Sequence, residues 1–409
     1  MSAPSGDRFP LFRLLVLAGA IFVSVSSEFL PTGLLPDIAA DLGVSESRVG
    51  LLVSIFAFTV VVSAAPLTVL TRRFSRKWLL VVLLGVFALS NVLAALSPTY
   101  EFLAAARILG GLAHGLFWAV AGPYVSLLVA PTQLARAVSV TTGGGSAAFI
   151  LGVPFTAAIG HAVGWRWAFA TMALLVVAFA VLTVVLLPAV DHRGAKPPKV
   201  QTITTATGSI RDVRDRSIYA VMIVSVTVLL IATGHNLFYT YIAPWTIGIA
   251  GVPADLVSLL LLFYGVAGAV GLVIVGAFAD RYPRLTLNVM VVGLIVFIVA
   301  IALFARGVVP AIVLAALWSV TFGGLPALFQ TRALHGASAR IRDLTGAITT
   351  TAFNSAIGLG ALLGGVVFDG LGLAAVPWVG AAIVAAGLIW VLATDGARIR
   401  FHPAEAHRG

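Results

Sequence analysis

Long apolar runs, separated by short breaks that carry Pro, Gly or charge, extend along the whole chain. A helix that crosses a membrane needs about 20 apolar residues. The pattern predicts twelve such helices, which we number helix 1 to helix 12: 11–39, 46–71, 77–97, 99–129, 133–161, 165–188, 217–248, 254–280, 285–305, 309–335, 342–368 and 374–394. Because most of the connecting segments are short, consecutive helices are expected to run in opposite directions.

The composition excludes an ordinary soluble protein. Of the 409 residues, 60% are hydrophobic and 10% are charged, whereas a soluble protein has about 25% charged residues. The chain has no cysteine, which excludes disulfides, thiol chemistry and a cysteine metal site. The first apolar run is too long for the core of a cleavable signal peptide. The sequence therefore predicts an all-α membrane protein with twelve transmembrane helices.

One long polar segment divides the chain near its midpoint. The predicted organisation is a cytoplasmic tail (1–10), a first half of six helices (11–188), a cytoplasmic linker (189–216), a second half of six helices (217–395) and a cytoplasmic tail (396–409). Most of the 25 Lys and Arg residues then lie on the side of both tails, and only Arg48, Arg107, Arg166 and Arg306 do not. Since positively charged loops stay in the cytoplasm, the net charge of +10 reflects topology, and no nucleic-acid partner is needed to explain it.

The two halves are related by an internal repeat. One gap-free shift pairs Glu28 with Asn236, Pro36 with Pro244, Arg73 with Arg281, Arg76 with Arg284 and Gly164 with Gly372. The prolines, the arginines and the hydropathy breaks match together, which argues against chance in a chain rich in Gly and Ala. Two six-helix halves in the same orientation are typical of secondary transporters, whose substrate site lies between the halves near the membrane midplane.

The loop between helices 8 and 9 reads Gly276-Ala-Phe-Ala-Asp280-Arg281-Tyr-Pro-Arg284. It resembles the signature loop of the major facilitator superfamily, and the resemblance covers nearly the whole chain. The equivalent loop of the first half keeps Arg73 and Arg76 but has Arg72 in the place of the family's acid. The resemblance implies the major facilitator fold and a gating role for Arg73, Arg76, Asp280, Arg281 and Arg284.

Further motifs are similar to those of the twelve-helix drug:proton antiporters. They are Arg107-Ile-Leu-Gly-Gly111 in helix 4, Gly152-Val-Pro154 in helix 5, and the combination of Glu28-Phe-Leu-Pro31 with Ala113-His114 and with His235. This combination resembles the bacterial sugar-efflux and chloramphenicol-resistance branch. The resemblance implies proton-coupled export of drugs such as chloramphenicol, or of sugars, across the bacterial cytoplasmic membrane. We expect a monomer that needs no cofactor or metal.

Glu28 is a single carboxylate in an otherwise apolar helix, and such a group must face a partner, a cavity or water. Arg107 is placed at a compatible depth, roughly 13–20 Å below the outer boundary at about 1.5 Å per residue. Burial disfavours a charged carboxylate and a neighbouring arginine stabilises it, so an alternating environment would make Glu28 take up and release a proton. For Glu28, the alternatives are a site for a cationic substrate and a static carboxylate; for Arg107, the alternative is a structural tether.

On helix 4, the residues Arg107, Gly111, His114, Gly115 and Trp118 share one helical face. Arg107 and His114 would point into the core of the first half, and the glycines would allow a neighbouring helix to approach. His114 titrates near neutral pH when it is exposed. It is therefore a candidate for proton coupling, or else a buried hydrogen-bonding group.

Polar residues also crowd the middle of helix 7, where Asn236 occupies the repeat position of Glu28. We expect His235, Asn236 and Tyr239 to contact substrate, or else to join helices by hydrogen bonds. Five further residues have two interpretations each. Asn354 either binds substrate or joins helices. Three aromatic residues either line the pocket or face lipid: Phe117, Trp118 and Phe238. Asp37 either gates the outer end of helix 1 or is solvated.

Other functions are less compatible with these patterns. A proton symporter or a facilitator for uptake of a small polar metabolite remains the alternative, because Glu28 and Arg107 do not set the direction of coupling. An enzyme is not expected, since neither H-E-x-x-H nor G-x-S-x-G occurs. A channel is not expected either, because the repeat argues for alternating access.

Overall fold

The computed structural model describes residues 9–71, 73–189, 215, 217–338 and 341–396. Within these residues, twelve helices are long and apolar enough to cross a membrane: Leu11–Gly33, Glu46–Thr71, Arg76–Ala95, Tyr100–Ser126, Arg136–Val163, Trp165–Leu186, Ser217–Tyr239, Ala254–Phe278, Pro283–Phe304, Val308–Gly336, Leu344–Leu371 and Leu373–Asp395. They correspond one to one to the predicted helices, whose numbers we keep. The chain is an all-α membrane protein with twelve spans. Most of the predicted linker and both predicted tails lie outside the described residues.

Consecutive spans run in opposite directions, so helix 1 begins and helix 12 ends on the same side of the membrane. We call this side the terminal side, and the opposite side the far side. Seven of the spans contain one long α-helix without a break: Glu46–Thr71, Arg76–Ala95, Tyr100–Ser126, Trp165–Leu186, Val257–Phe278, Pro283–Phe304 and Arg342–Leu371. Helix 12 begins with a 3₁₀ turn and continues as Val376–Gly396.

Helix 1 was predicted as one helix over 11–39, and this continuity is wrong. The α-helix Leu11–Phe29 passes into a 3₁₀ turn, Leu30–Gly33, and a separate short helix follows over Leu35–Leu42. Pro31 lacks a backbone N–H and therefore cannot continue the α-helical ladder. Leu34 then leaves the helical region at φ −130° and ψ 17°. The break comes directly after Glu28 and exposes carbonyl groups near that residue.

Three other predicted helices are also interrupted. Helix 7 ends at Tyr239 and resumes as Ile242–Gly248, so the prediction of one helix over 217–248 is wrong. Helix 10 is divided into Val308–Gly323 and Leu325–Gly336, where Pro326 starts the second piece. Helix 5 consists of Leu134–Ala147, a π-helical turn Ala148–Gly152 and Val153–Val163. Pro154 follows the π turn and leaves a carbonyl of that turn without its usual donor.

Glycines allow helices 1 and 5 to approach closely. A Cβ atom at Gly144 would lie 2.0 Å from the carbonyl oxygen of Ala18, and one at Gly152 would lie 1.8 Å from Ser26 Oγ. Both distances are shorter than any real side-chain contact. The glycine-rich run of helix 5 therefore serves close helix packing, although Gly143 itself has open space.

The two halves meet at mid-depth and on the far side. The hydroxyl of Ser54 in helix 2 donates to the carbonyl of Gly358 in helix 11 at 2.8 Å. In the other pair of facing helices, a Cβ atom at Gly265 of helix 8 would lie 2.3 Å from the carbonyl oxygen of Phe149 in helix 5. These two contacts lie near mid-depth. On the far side, the hydroxyl of Tyr241, which follows helix 7, donates to the carbonyl of Ser47 in helix 2 at 3.5 Å and closes the space between the halves.

Candidate functional site

The carboxyl group of Glu28 is buried and faces helix 4. Its side chain is 6% exposed, and its Oε2 lies 3.4 Å from Nε2 of His114. Its second oxygen, Oε1, has no hydrogen-bond partner among the described residues. The structure thus brings together two of the residues for which the sequence predicts a role in proton coupling.

His114 makes a hydrogen bond through each ring nitrogen. Nδ1 lies 2.8 Å from Ser24 Oγ, and Nε2 lies 2.8 Å from Nε1 of Trp118. An indole N–H can only donate a hydrogen bond, so Nε2 of His114 is the acceptor. The ring proton is then on Nδ1 and is donated to Ser24. Phe56 packs edge-on against the imidazole at 5.2 Å and holds its orientation.

This tautomer has a consequence for Glu28. A charged carboxylate would place an oxygen lone pair 3.4 Å from the nitrogen lone pair of His114 Nε2. Protonation of Glu28 removes this repulsion, although Nε2 itself already accepts its one hydrogen bond from Trp118. The arrangement therefore fits a protonated Glu28 better than an ionised one.

Arg107 is also in the cluster, but its partner is the backbone of helix 1. Nη1 donates to the carbonyl of Ser27 at 2.8 Å, and Nη2 donates to the carbonyl of Glu28 at 2.7 Å. The α-helical donor for the Ser27 carbonyl would be Pro31, which has no N–H. Arg107 supplies the missing hydrogen bond, while Phe56 covers its guanidinium at 4.2 Å. In the part of the chain that the structure describes, Arg107 and the Glu28 carboxylate form no direct ion pair.

Helix 3 fixes the same turn of helix 1 from the other side. Ser27 Oγ donates to Asn91 Oδ1 at 2.6 Å, and Asn91 Nδ2 donates to the carbonyl of Phe87 at 2.8 Å. The sequence interpretation missed Ser24, which contacts His114. The signal for Ser24 is its spacing, because Ser24 and Glu28 are four residues apart and lie on the same helical face.

In the second half, His235 stands at the centre of an aromatic cluster. Its ring stacks on Phe322 at 3.3 Å with an angle of 4° between planes, and its Nε2 lies 3.2 Å from the hydroxyl of Tyr264. Trp318 contacts the ring at 5.0 Å. The sequence interpretation missed these three aromatic residues. Under the repeat, Phe322 and His114 are equivalent positions, so the second half has an apolar ring where the first half has a titratable one.

Tyr239 connects this cluster to the first half. Its ring lies 6.0 Å from that of Phe29 in helix 1 and 6.3 Å from that of Phe149 in helix 5. Asn236 is buried and donates to the carbonyl of Ala232 at 2.8 Å within its own helix. The predicted substrate-contact residues of helix 7 therefore lie buried, with Tyr239 at the boundary between the halves.

The remaining pocket candidates have different surroundings. Phe117 and Phe238 are buried and do not face lipid, and Trp118 is half-buried beside His114. Asn354 is half-buried and donates to the carbonyl of Thr350 at 3.0 Å within helix 11. Among the described residues, no group of three or more His, Asp or Glu is arranged to hold a metal ion.

The candidate gating residues lie at both ends of the spans. On the far side, Asp37 Oδ2 lies 3.3 Å from His161 Nδ1. On the terminal side, Arg73, Asp280, Arg281 and Arg284 are exposed, and Arg76 is half-buried. Asp280 and Arg284 line a cavity of about 410 Å³, together with Arg332, His335 and Asp395.

Comparison with known proteins gives consistent matches along the chain. The family model of the Major Facilitator Superfamily matches residues 17–361. A probable sugar efflux transporter of Mannheimia succiniciproducens is 30% identical over 390 residues, which is 94% of this chain and 94% of that protein. The uncharacterised MFS-type transporter YtbD of Bacillus subtilis is 30% identical over 389 residues, which is 94% of this chain and 96% of that protein.

Two solved structures share the fold at low sequence identity. The nucleoside transporter NupG superposes with a TM-score of 0.73 at 14% identity, over 94% of this chain and 99% of that chain. A bacterial homologue of the human lysosomal transporter Spinster, in an inward-facing and unoccupied conformation, gives a TM-score of 0.68 at 14% identity over 96% of each chain. These likenesses concern the arrangement of the helices.

Proposed function

This chain is a member of the major facilitator superfamily, a transporter of small molecules across a membrane, and we propose that it exports small organic molecules in exchange for protons. The observation that carries this proposal is the buried contact between Glu28 and His114, at 3.4 Å between Oε2 and Nε2. An ionisable pair is costly to bury at this depth, and ionisable groups inside a membrane typically mark a functional site.

The proton site belongs to the first half only. The repeat equivalent of Glu28 is Asn236, whose amide cannot bind and release a proton in the physiological range, and the equivalent of His114 is Phe322. An arrangement that served only the fold would be expected in both halves. We assign proton coupling to Glu28, with His114 as its neighbour and Arg107 as the residue that holds the broken turn of helix 1.

The substrate is proposed to bind between the halves at mid-depth. Tyr239 meets Phe29 and Phe149 there, so a movement of one half against the other would change this aromatic surface directly. His235, Asn236, Phe117, Trp118 and Asn354 are the further candidates for substrate contacts. Their hydrogen-bonding groups and rings suit uncharged ring compounds such as chloramphenicol or sugars.

Transport follows the alternating-access scheme. The far side is closed between the halves, and export requires this packing to open while the terminal side closes. We propose that each gating residue stabilises one of the two states. These residues are Asp37 on the far side and, on the terminal side, Arg73, Arg76, Asp280, Arg281 and Arg284. We further propose that the terminal side is cytoplasmic, that the membrane is the bacterial inner membrane and that the protein acts as a monomer.

Two observations support export over uptake. The motifs resemble those of drug:proton antiporters, and the relative from Mannheimia succiniciproducens is named a probable sugar efflux transporter. An exporter of this kind would release its proton on the terminal side when it binds substrate there.

The test is transport into proteoliposomes of known orientation with an imposed pH gradient. Chloramphenicol, lactose and ethidium serve as the probe compounds. The proposal expects at least one neutral probe to move against the direction of proton flow. Movement of the probe in the same direction as protons would identify a symporter, and transport that ignores the pH gradient would identify a facilitator; either result would refute the proposal.

A further inference from the structure

Trp118 is half-buried and contacts the proton site through its indole ring. Its indole N–H donates to Nε2 of His114 at 2.8 Å. We propose that Trp118 is a positioning residue of the proton site, whose hydrogen bond keeps Nε2 occupied and so prevents Glu28 from passing its proton to His114. This inference rests on the proposed role of Glu28.

Each ring nitrogen of His114 can take part in only one hydrogen bond. Nδ1 is taken by Ser24 Oγ at 2.8 Å. Nε2 receives the indole N–H and also lies 3.4 Å from Oε2 of Glu28. With the indole in place, the nitrogen lone pair is shared with a donor that cannot give up its proton. When the indole moves away, the Glu28 O–H is the remaining donor directed at Nε2.

Burial separates Trp118 from the other members of the cluster. Glu28 and His114 are 4% and 2% exposed, whereas Trp118 is half-buried. The indole is therefore the member of these three with the most surface left for contact with another molecule. Displacement of that ring by substrate would change the hydrogen bonding of His114 without any direct contact between substrate and Glu28.

The proton transfer balances within this pair. The O–H bond of Glu28 breaks and an N–H bond forms at Nε2 of His114, which leaves a carboxylate beside an imidazolium. Among the described residues, the charged or titratable groups that face His114 are Glu28 from helix 1 and Arg107 from helix 4; helices 2 and 3 present Phe56 and Phe87. Substrate binding would thus be linked to transfer of the proton from Glu28 to His114, and release of the proton from the imidazolium to water would complete the exchange that an antiporter requires.

The experiment is nitrogen NMR on the full-length protein in lipid nanodiscs, with ¹⁵N-labelled histidine. The chain has seven histidines, and the signals of His114 are identified by their loss in His114→Gln. Trp118→Phe keeps an aromatic ring and removes the donor. Trp167→Phe is the matched control, because Trp167 is 63% exposed and lies on helix 6.

In the wild type and in Trp167→Phe, we expect His114 to keep its single proton on Nδ1. In Trp118→Phe, the doubly protonated form of His114 should increase at least about fivefold near pH 5, and the added change Glu28→Gln should reverse this increase. Trp118→Leu, which also lacks a donor, should behave as Trp118→Phe does. His114 signals that are the same in both Trp118 variants and in the wild type would overturn the inference.

The two proposals fail in different ways. If Glu28→Gln still transports with full coupling to the pH gradient, the proposed function of Glu28 fails, whatever the NMR signals show. If Glu28→Gln loses coupling and the His114 signals do not respond to Trp118, only the role of Trp118 fails.

Discussion

The hydroxyl group of Tyr241 occupies a space between the two halves that exists because residue 50, in helix 2, is a glycine. A Cβ atom at Gly50 would lie 2.1 Å from the Tyr241 oxygen. Tyr241 lies at the break of helix 7 and donates to the carbonyl of Ala361 in helix 11 at 3.0 Å. Gly364 and Gly365 form the other wall of this space, where a Cβ atom would lie 2.6 Å and 2.8 Å from the tyrosine.

Gly50→Ala should therefore open the far side. Overpacking of this kind costs about 1–3 kcal/mol, which corresponds to a shift of roughly 5- to 150-fold in the ratio of closed to open molecules. The measurement is the distance between spin labels at Arg48→Cys and Asp369→Cys, which is simplified because the chain has no native cysteine. Gly85→Ala is the control, since its Cβ atom would meet nothing within 4 Å. An unchanged distance distribution in Gly50→Ala would show that Tyr241 does not close this side.

Adjacent glycines of helix 5 should respond very differently to alanine. At Gly144, the new Cβ atom would lie 2.0 Å from the backbone oxygen of Ala18, and a backbone atom cannot rotate away. At Gly143 there is open space, and alanine is about 0.8–1.0 kcal/mol more favourable than glycine inside a helix. Thermal unfolding in detergent should show a clear loss of stability for Gly144→Ala, and no loss for Gly143→Ala. Equal midpoints for the two variants would contradict the close packing of helices 1 and 5.

Arg107 should contribute to stability as well as to transport. Its two hydrogen bonds to the carbonyls of Ser27 and Glu28 involve a charged donor, and each such bond contributes about 1.5–3 kcal/mol. Lys at this position cannot bridge both carbonyls, so we expect Arg107→Lys to lower the unfolding midpoint markedly.

Arg48→Lys is the matched control for this prediction. Arg48 pairs with Glu101 on the surface, where the two side chains are 51% and 73% exposed, and exposed pairs contribute only about 0–1 kcal/mol. If Arg107→Lys and Arg48→Lys unfold at the same temperature as the wild type, Arg107 does not hold the broken turn of helix 1.

Hydropathy and the repeat were sufficient to predict the twelve spans, because a membrane span requires a long apolar segment. They did not predict the breaks at Leu34 and at Thr240. A break in a helix leaves the hydropathy of the segment unchanged and alters only the backbone conformation. Its position therefore depends on which hydrogen-bond donor can reach the carbonyl group that the break leaves without a partner. For Ser27 that donor is Arg107, from a helix distant in sequence.

The candidate site was also predicted only in part, because the sequence gives the position of a residue along a helix but not the direction of its side chain. Helical spacing placed Arg107, His114 and Trp118 on one face, and depth placed Glu28 opposite them. Depth does not specify side-chain rotamers, so the partner of the Glu28 carboxyl group was expected to be Arg107 and is His114. The aromatic residues around His235 were missed because a buried ring and a lipid-facing ring look alike in sequence.

Transport by Glu28→Gln tests the central claim most directly. The experiment compares the wild type, Glu28→Gln and Glu101→Gln in proteoliposomes. Glu101→Gln is the control, because the Glu101 side chain is 73% exposed. Two activities are measured: transport driven by a pH gradient, and exchange of labelled for unlabelled substrate without a gradient. We predict that Glu28→Gln retains exchange to within about twofold and loses at least about tenfold of the gradient-driven transport, because an amide cannot carry the proton. Full gradient-driven transport by Glu28→Gln would contradict the account.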